Sequence, residues 1–162
     1  MNTDKKISRR EALKRMGFAV MSGAIASSGL LSLASCETKR SKRIIFYFTG
    51  TGNSLYIARQ LAGENAELLS IPQMVKRGKY EFEADEIGIV YPIYGHMPPY
   101  MVRQFIQKAK LKAEYKFAVL TYGARKCDAV EIWDRISRKA DNAFDYINTI
   151  IMVDNWLPNF DM

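Results

Sequence analysis

The sequence predicts an α/β protein: a doubly wound, five-stranded parallel sheet with helices packed on its faces. Three observations predict it. From residue 43 to residue 153, five short runs rich in β-branched and aromatic residues are separated by stretches with apolar residues at helical spacing. One run, Glu86-Ile87-Gly88-Ile89-Val90-Tyr91, is almost continuously apolar, as in a parallel strand buried on both faces. The first, third and fourth runs each end in a loop bearing Gly or Pro, where the backbone can come close to a ligand.

The first run, Arg43-Ile44-Ile45-Phe46-Tyr47-Phe48, suits a buried strand. It passes into Thr49-Gly50-Thr51-Gly52-Asn53-Ser54. Next comes Leu55 to Ala62, in which Leu55, Ala58, Leu61 and Ala62 share one helical face. Strand, glycine turn and helix in that order aim unpaired N–H groups and the positive end of the helix dipole into the turn. The Thr49, Thr51 and Ser54 hydroxyls and the Asn53 amide add donors, with Asn53 or Ser54 placed to cap the helix. No Lys or Arg lies in the loop, so an anion there is held by neutral donors. The stretch predicts a phosphate site. It is not a Walker loop, which needs a Lys, and the dinucleotide fingerprint is incomplete because Leu55 stands where a third Gly belongs.

Thr49-Gly50-Thr51-Gly52-Asn53-Ser54 resembles the FMN-phosphate loop of flavodoxins, Ser/Thr-x-Thr-Gly-x-Ser/Thr. The resemblance implies that Thr49, Gly50, Thr51, Gly52, Asn53 and Ser54 hold the phosphate of FMN.

Ala66 to Ile71 reads as a second strand closed by Pro72, and Gln73 to Tyr80 as a turn or a short helix. The third strand, Glu86 to Tyr91, stops at Pro92, which cannot donate to a ladder. After the loop Pro92-Ile93-Tyr94-Gly95-His96-Met97-Pro98-Pro99, Pro99 opens a helix with Val102, Phe105, Ile106 and Ala109 on one face. Lys116 to Tyr122 forms a fourth strand ending in Gly123. The next helix turns Ala129, Ile132, Trp133 and Ile136 to one side, which assigns Trp133 to the core. Cys127, near its start, reads as a small buried or half-buried residue, although a helix start can lower a thiol pKa. Tyr146 to Val153 is the fifth strand.

The flavodoxin resemblance covers about residues 43 to 156 and implies the strand order 2-1-3-4-5. It also implies that Pro92, Ile93, Tyr94 and Gly95 pack on the flavin ring, with Tyr94 stacking and the Tyr94-Gly95 peptide able to turn. Thr121, Tyr122 and Gly123 would form the second ring-binding loop, where Tyr122 suits either flavin contact or sheet packing. His96 is the only His, which excludes a metal site of several His and fits an exposed or supporting role. No helix follows the fifth strand within the 162 residues, so the domain reads as C-terminally truncated with part of one sheet face bare. More narrowly, Phe46 to Ser54, the Pro92 to Pro99 loop and Asn155-Trp156-Leu157-Pro158 resemble the flavodoxin part of bacterial flavodoxin–ferredoxin fusion proteins. Two Cys exclude an iron–sulfur cluster held by four Cys within this chain, so clusters belong only to sequence missing from it.

Charge separates the N-terminus from the rest. Residues 1–35 hold six Lys/Arg against two acids, and the remainder holds 18 against 15, too small a bias for nucleic acid. Ser8-Arg9-Arg10-Glu11-Ala12-Leu13-Lys14 resembles the twin-arginine export signal, and Leu33-Ala34-Ser35-Cys36 resembles a bacterial lipobox, with Cys36 the lipidated residue. The stretch from Met16 to Leu33 is apolar but diluted by Gly and Ser, a weak pattern for a membrane span and a usual one for twin-arginine signals; the alternative is a poor transmembrane anchor or an amphipathic N-terminal helix. The expected organisation is a signal peptide over 1–35, lipidated Cys36 and a basic tether over 36–42, and an FMN-binding domain over 43–162. Soluble flavodoxins are strongly acidic and this domain is mildly basic, which implies a flavin easier to reduce fully.

The expected function is an exported, membrane-anchored FMN electron-transfer protein with a redox partner protein or a quinone as partner. Two alternatives stay open: an FMN-dependent oxidoreductase of quinones or similar acceptors, with His96 and Tyr94 the first residues to test, and a binding lipoprotein without flavin.

Overall fold

The computed structural model describes residues 42–153. The readings of Arg9-Arg10, of Cys36 and most of the tether, and of Asn155-Trp156-Leu157-Pro158 lie outside the described residues.

Five parallel strands form the main sheet: β1 (Arg43–Tyr47), β2 (Ala66–Ser70), β4 (Glu86–Pro92), β6 (Tyr115–Tyr122) and β7 (Tyr146–Ile151). Their order is β2-β1-β4-β6-β7, which is the order 2-1-3-4-5 expected when the five long strands are counted along the chain. The helices are α1 (Asn53–Ala62), α2 (Ile71–Arg77), α3 (Tyr100–Lys108) and α4 (Ala129–Lys139). Among them, none is long and apolar enough to cross a membrane.

Alternation along the strands divides the core in two. Ile44, Phe46, Ile87, Ile89, Tyr91, Ala118 and Leu120 point to the face covered by α2, α3 and α4. There Trp133 is buried against Tyr91 and Phe144, at ring centroid distances of 5.0 and 5.3 Å. Burial pushes the Tyr91 phenol well above its ordinary pKa, so it stays neutral. On the other face Ile45, Val90 and Val119 meet Ala58 and Ala62 of α1. The buried stripe of α1 is Ser54, Ala58 and Ala62, with Leu55 and Leu61 only half-buried at its flanks.

Gly88 sits in the middle of β4 directly opposite Phe117 of β6. A Cβ on Gly88 would lie 2.7 Å from Cε2 of that ring, so the aromatic side chain occupies the space a side chain at 88 would fill. Beyond α1, this face presents Tyr115, Phe117 and Tyr146 with no described helix over them.

Two short strands, β3 (Glu81–Glu83) and β5 (Lys110–Lys112), pair in parallel as a separate two-stranded sheet. Phe82 and Leu111 are their buried partners, and Phe82 meets Phe46 edge-on at 4.7 Å. Lys110 Nζ reaches Glu81 Oε1 at 2.8 Å on the exposed side, a pair of small energetic weight.

Ile71 and Pro72 correct the expected end of β2. Ile71 begins α2, with Pro72 in its first turn, where a missing N–H costs the helix no bond. The segment is a short helix, stopped by Gly78 at φ 64°.

Candidate functional site

β1, β4 and β6 lie side by side, so the loops after their carboxyl ends form three adjacent lips. They surround a cavity of about 470 Å³, within the range of small-molecule sites. Thr49, Gly50, Thr51, Asn53 and Ser54 line it from the first lip, and Pro92, Ile93 and Tyr94 from the second. Thr121, Tyr122 and Gly123 line it from the third. Of the residues singled out in the sequence, Gly52 and Gly95 shape the turns without lining the cavity. Ala124, Arg125, Met152 and Val153 line it and were not anticipated.

The first lip is built around Gly52. Its φ of 101° is open to glycine and strained for other residues. The Gly52 N–H donates to Thr49 Oγ1 at 2.9 Å, and its carbonyl accepts the Tyr56 N–H at 2.9 Å, starting α1. The expected cap at Asn53 or Ser54 is therefore corrected: Gly52 holds the cap position and has no side chain to reach back. No side chain caps α1, which leaves the first-turn N–H groups of Asn53, Ser54 and Leu55 facing the turn.

Two presumed donors have structural partners. Asn53 Nδ2 donates to the Val153 carbonyl at 2.8 Å, joining the first lip to the segment after β7. The Ser54 hydroxyl is buried and lies 2.8 Å from Thr121 Oγ1, bolting the start of α1 to β6. Only one of those two hydroxyls can spend its hydrogen on the other.

The second lip is a tight turn. Tyr94 N–H donates to the Met97 carbonyl at 3.0 Å and Met97 N–H to the Tyr94 carbonyl at 3.1 Å. Gly95 and His96 take φ of 53° and 71° to close it. Tyr94 is half exposed and leans edge-on against Phe48, with centroids 6.4 Å apart. Its hydroxyl lies 2.7 Å from where a Cβ on Gly50 would stand. The tyrosine thus reaches across to the first lip, over a glycine that makes room for it.

The third lip is tied down on both sides. Ile93 N–H donates to the Thr121 carbonyl and Met152 N–H to the Tyr122 carbonyl, each at 2.8 Å. His96 Nδ1 lies 3.1 Å from Asp128 Oδ1, joining the second and third lips at the solvent edge. That hydrogen bond, aided by a main-chain bond, holds the Asp128 carboxyl below its usual pKa. Cys127 is exposed, a correction to the expected burial: its φ of 47° turns the chain just before α4 and leaves the thiol outside. Among the described residues no group of three or more His, Cys, Asp or Glu is placed to hold a metal ion.

The arrangement can take an anionic group at the start of α1 and a flat, largely neutral body between the second and third lips. An uncapped helix start and the half-exposed ring of Tyr94, reaching over Gly50, fit an FMN.

No family model and no curated protein matches the sequence. Solved structures do match the fold. A flavoprotein from Lactobacillus acidophilus in complex with FMN is 12% identical, over 67% of this chain and 93% of its own, with a TM-score of 0.50. The Trp repressor binding protein of Bacillus subtilis is 12% identical over 68% and 85%, with a TM-score of 0.50. A protein of Bacteroides eggerthii, provisionally described as a flavoprotein, is 17% identical over 69% and 88%, with a TM-score of 0.51. At these identities the likeness establishes the fold: the chain has the α/β architecture of these proteins, built on a five-stranded parallel sheet.

Proposed function

We propose that the chain is a flavodoxin-like electron-transfer protein that binds FMN without a covalent bond. The observation that carries this reading is the uncapped start of α1, opening at Gly52 beside a cavity of flavin-compatible size. N–H groups and a helix dipole directed at one point favour a dianionic phosphate, and no acidic residue stands in the first turn to oppose it. An FMN complex on the same fold supports the choice of cofactor. Bound FMN would supply electron transfer, and the chain's own residues would hold and orient it. The first-turn N–H groups with Thr51 would take the phosphate. Tyr94 would cover one side of the ring, and the Thr121 to Gly123 backbone would shape the other.

The test is a titration of the protein with FMN and with riboflavin. FMN is expected to bind about 10- to 100-fold more tightly, since net charge-assisted bonds to a phosphate are worth about 1.5–3 kcal/mol. Equal affinity would remove the start of α1 from the site. A spectrum unchanged by either ligand would remove the flavin.

On the same reading the protein is exported by the twin-arginine route, anchored through Cys36, and passes electrons to a redox partner protein or a quinone. Support comes from Ser8 to Lys14 and Leu33 to Cys36 in the sequence, and from chemistry. Twin-arginine export carries folded proteins, so a noncovalent cofactor can travel with the chain. Mass spectrometry of the membrane-bound protein should find an acylated Cys36 at the N-terminus; an intact Met1 there would count against it.

A further inference from the structure

We propose that Arg125 sets the redox preference of this site by holding the anionic, two-electron-reduced form of the flavin more tightly than the oxidised form. The inference rests on the FMN reading above and assigns a role to a residue outside the phosphate loop and the expected ring contacts. Arg125 is the only Lys, Arg, His, Asp or Glu among the described residues lining the cavity. It makes no ion pair among the described residues. The acid of its own loop, Asp128, is engaged by His96, and Lys126 beside it adds positive charge.

Arg125 stands in the third lip, two residues past Gly123. On the FMN reading that lip closes on the ring, while its strand also meets the start of α1 through Thr121 and Ser54. The phosphate is the competing partner for the Arg125 charge. It is the same in oxidised and reduced FMN, so comparing the two forms separates the ring from the phosphate.

The oxidised ring is neutral. Taking up two electrons from an external reductant and one proton from water turns it into a monoanion. A guanidinium keeps its charge at any working pH, so its attraction is gained almost wholly in the reduced state. Only such a difference in affinity can move the equilibrium. Arg125 is exposed, which keeps the effect moderate and makes it sensitive to salt.

In the 162-residue protein, Arg125→Gln is expected to leave the affinity for oxidised FMN within about twofold. Affinity for dithionite-reduced FMN should fall about tenfold, which lowers the two-electron potential by about 30 mV. Arg125→Lys keeps the charge and should restore most of the difference, and high salt should narrow the gap between wild type and the Gln variant. FMN bound at the same potential by wild type and Arg125→Gln overturns the inference and leaves the FMN reading standing. Equal losses of oxidised and reduced affinity also overturn it, because Arg125 would then serve binding alone. Failure of the wild type to bind FMN overturns both readings.

Discussion

Asn142→Asp is expected to destabilise the folded protein by about 3–5 kcal/mol at neutral pH, the cost of an uncompensated buried charge. Asn142 is 1% exposed, and its amide serves three segments at once. Nδ2 donates to the carbonyls of Ala109, Ala140 and Ile106 at 2.8, 3.0 and 3.2 Å, and Oδ1 accepts the Leu111 N–H at 3.2 Å. The side chain thereby fastens the end of α3, the start of β5 and the end of α4. An Asp keeps the acceptor and turns a carboxylate on the carbonyls. Its folded-state pKa would be raised, so the destabilisation grows as pH rises through the unfolded value and shrinks in acid. Asn142→Ala lacks the charge and should cost about 2–3 kcal/mol through its stranded partners. Urea unfolding at pH 7 and pH 5 checks both. An Asp variant as stable as wild type would mean that the amide is not the fastening.

Gly52→Val should cost about 2 kcal/mol in folding and about 10- to 100-fold in FMN affinity, as much as loss of the phosphate itself. A β-branched residue cannot rest at the φ of 101° found there, so the backbone must change to admit it. That change moves the N–H groups of the first helical turn away from one focus. Thermal unfolding with and without FMN reads both parts. Wild-type affinity in the Val variant would show that the first turn of α1 does not hold the ligand.

The long strands were legible because each runs five to eight residues with aliphatic, β-branched or aromatic residues in the majority, from Arg43–Tyr47 to Tyr146–Ile151. The β3–β5 pair was not, since Glu81-Phe82-Glu83 and Lys110-Leu111-Lys112 each offer one apolar residue between charges. Three residues are too few for a period to show. Pro72 misled for a different reason: Pro ends strands and begins helices, and sequence alone did not say which applied. At the site, residue types gave the donors without their partners. Asn53 answers to Val153 and Ser54 to Thr121, distant positions brought near only by the sheet. Arg125 stands in a loop with no periodic pattern. The signal that could have found it was its place two residues after the Gly that ends the fourth strand.

The Phe117 ring that lies where a Gly88 side chain would stand makes these two positions a single unit of volume shared between β4 and β6. Chains descended from a common ancestor with this one should therefore change them together. Where position 88 gains a methyl group, position 117 should hold a smaller side chain, and a large residue should persist at 117 only beside glycine. The order of substitution matters as well. Shrinking residue 117 first leaves a partly solvated gap, whereas enlarging residue 88 first drives a Cβ into an aromatic ring. One of the two routes between such sequences is consequently open and the other nearly closed.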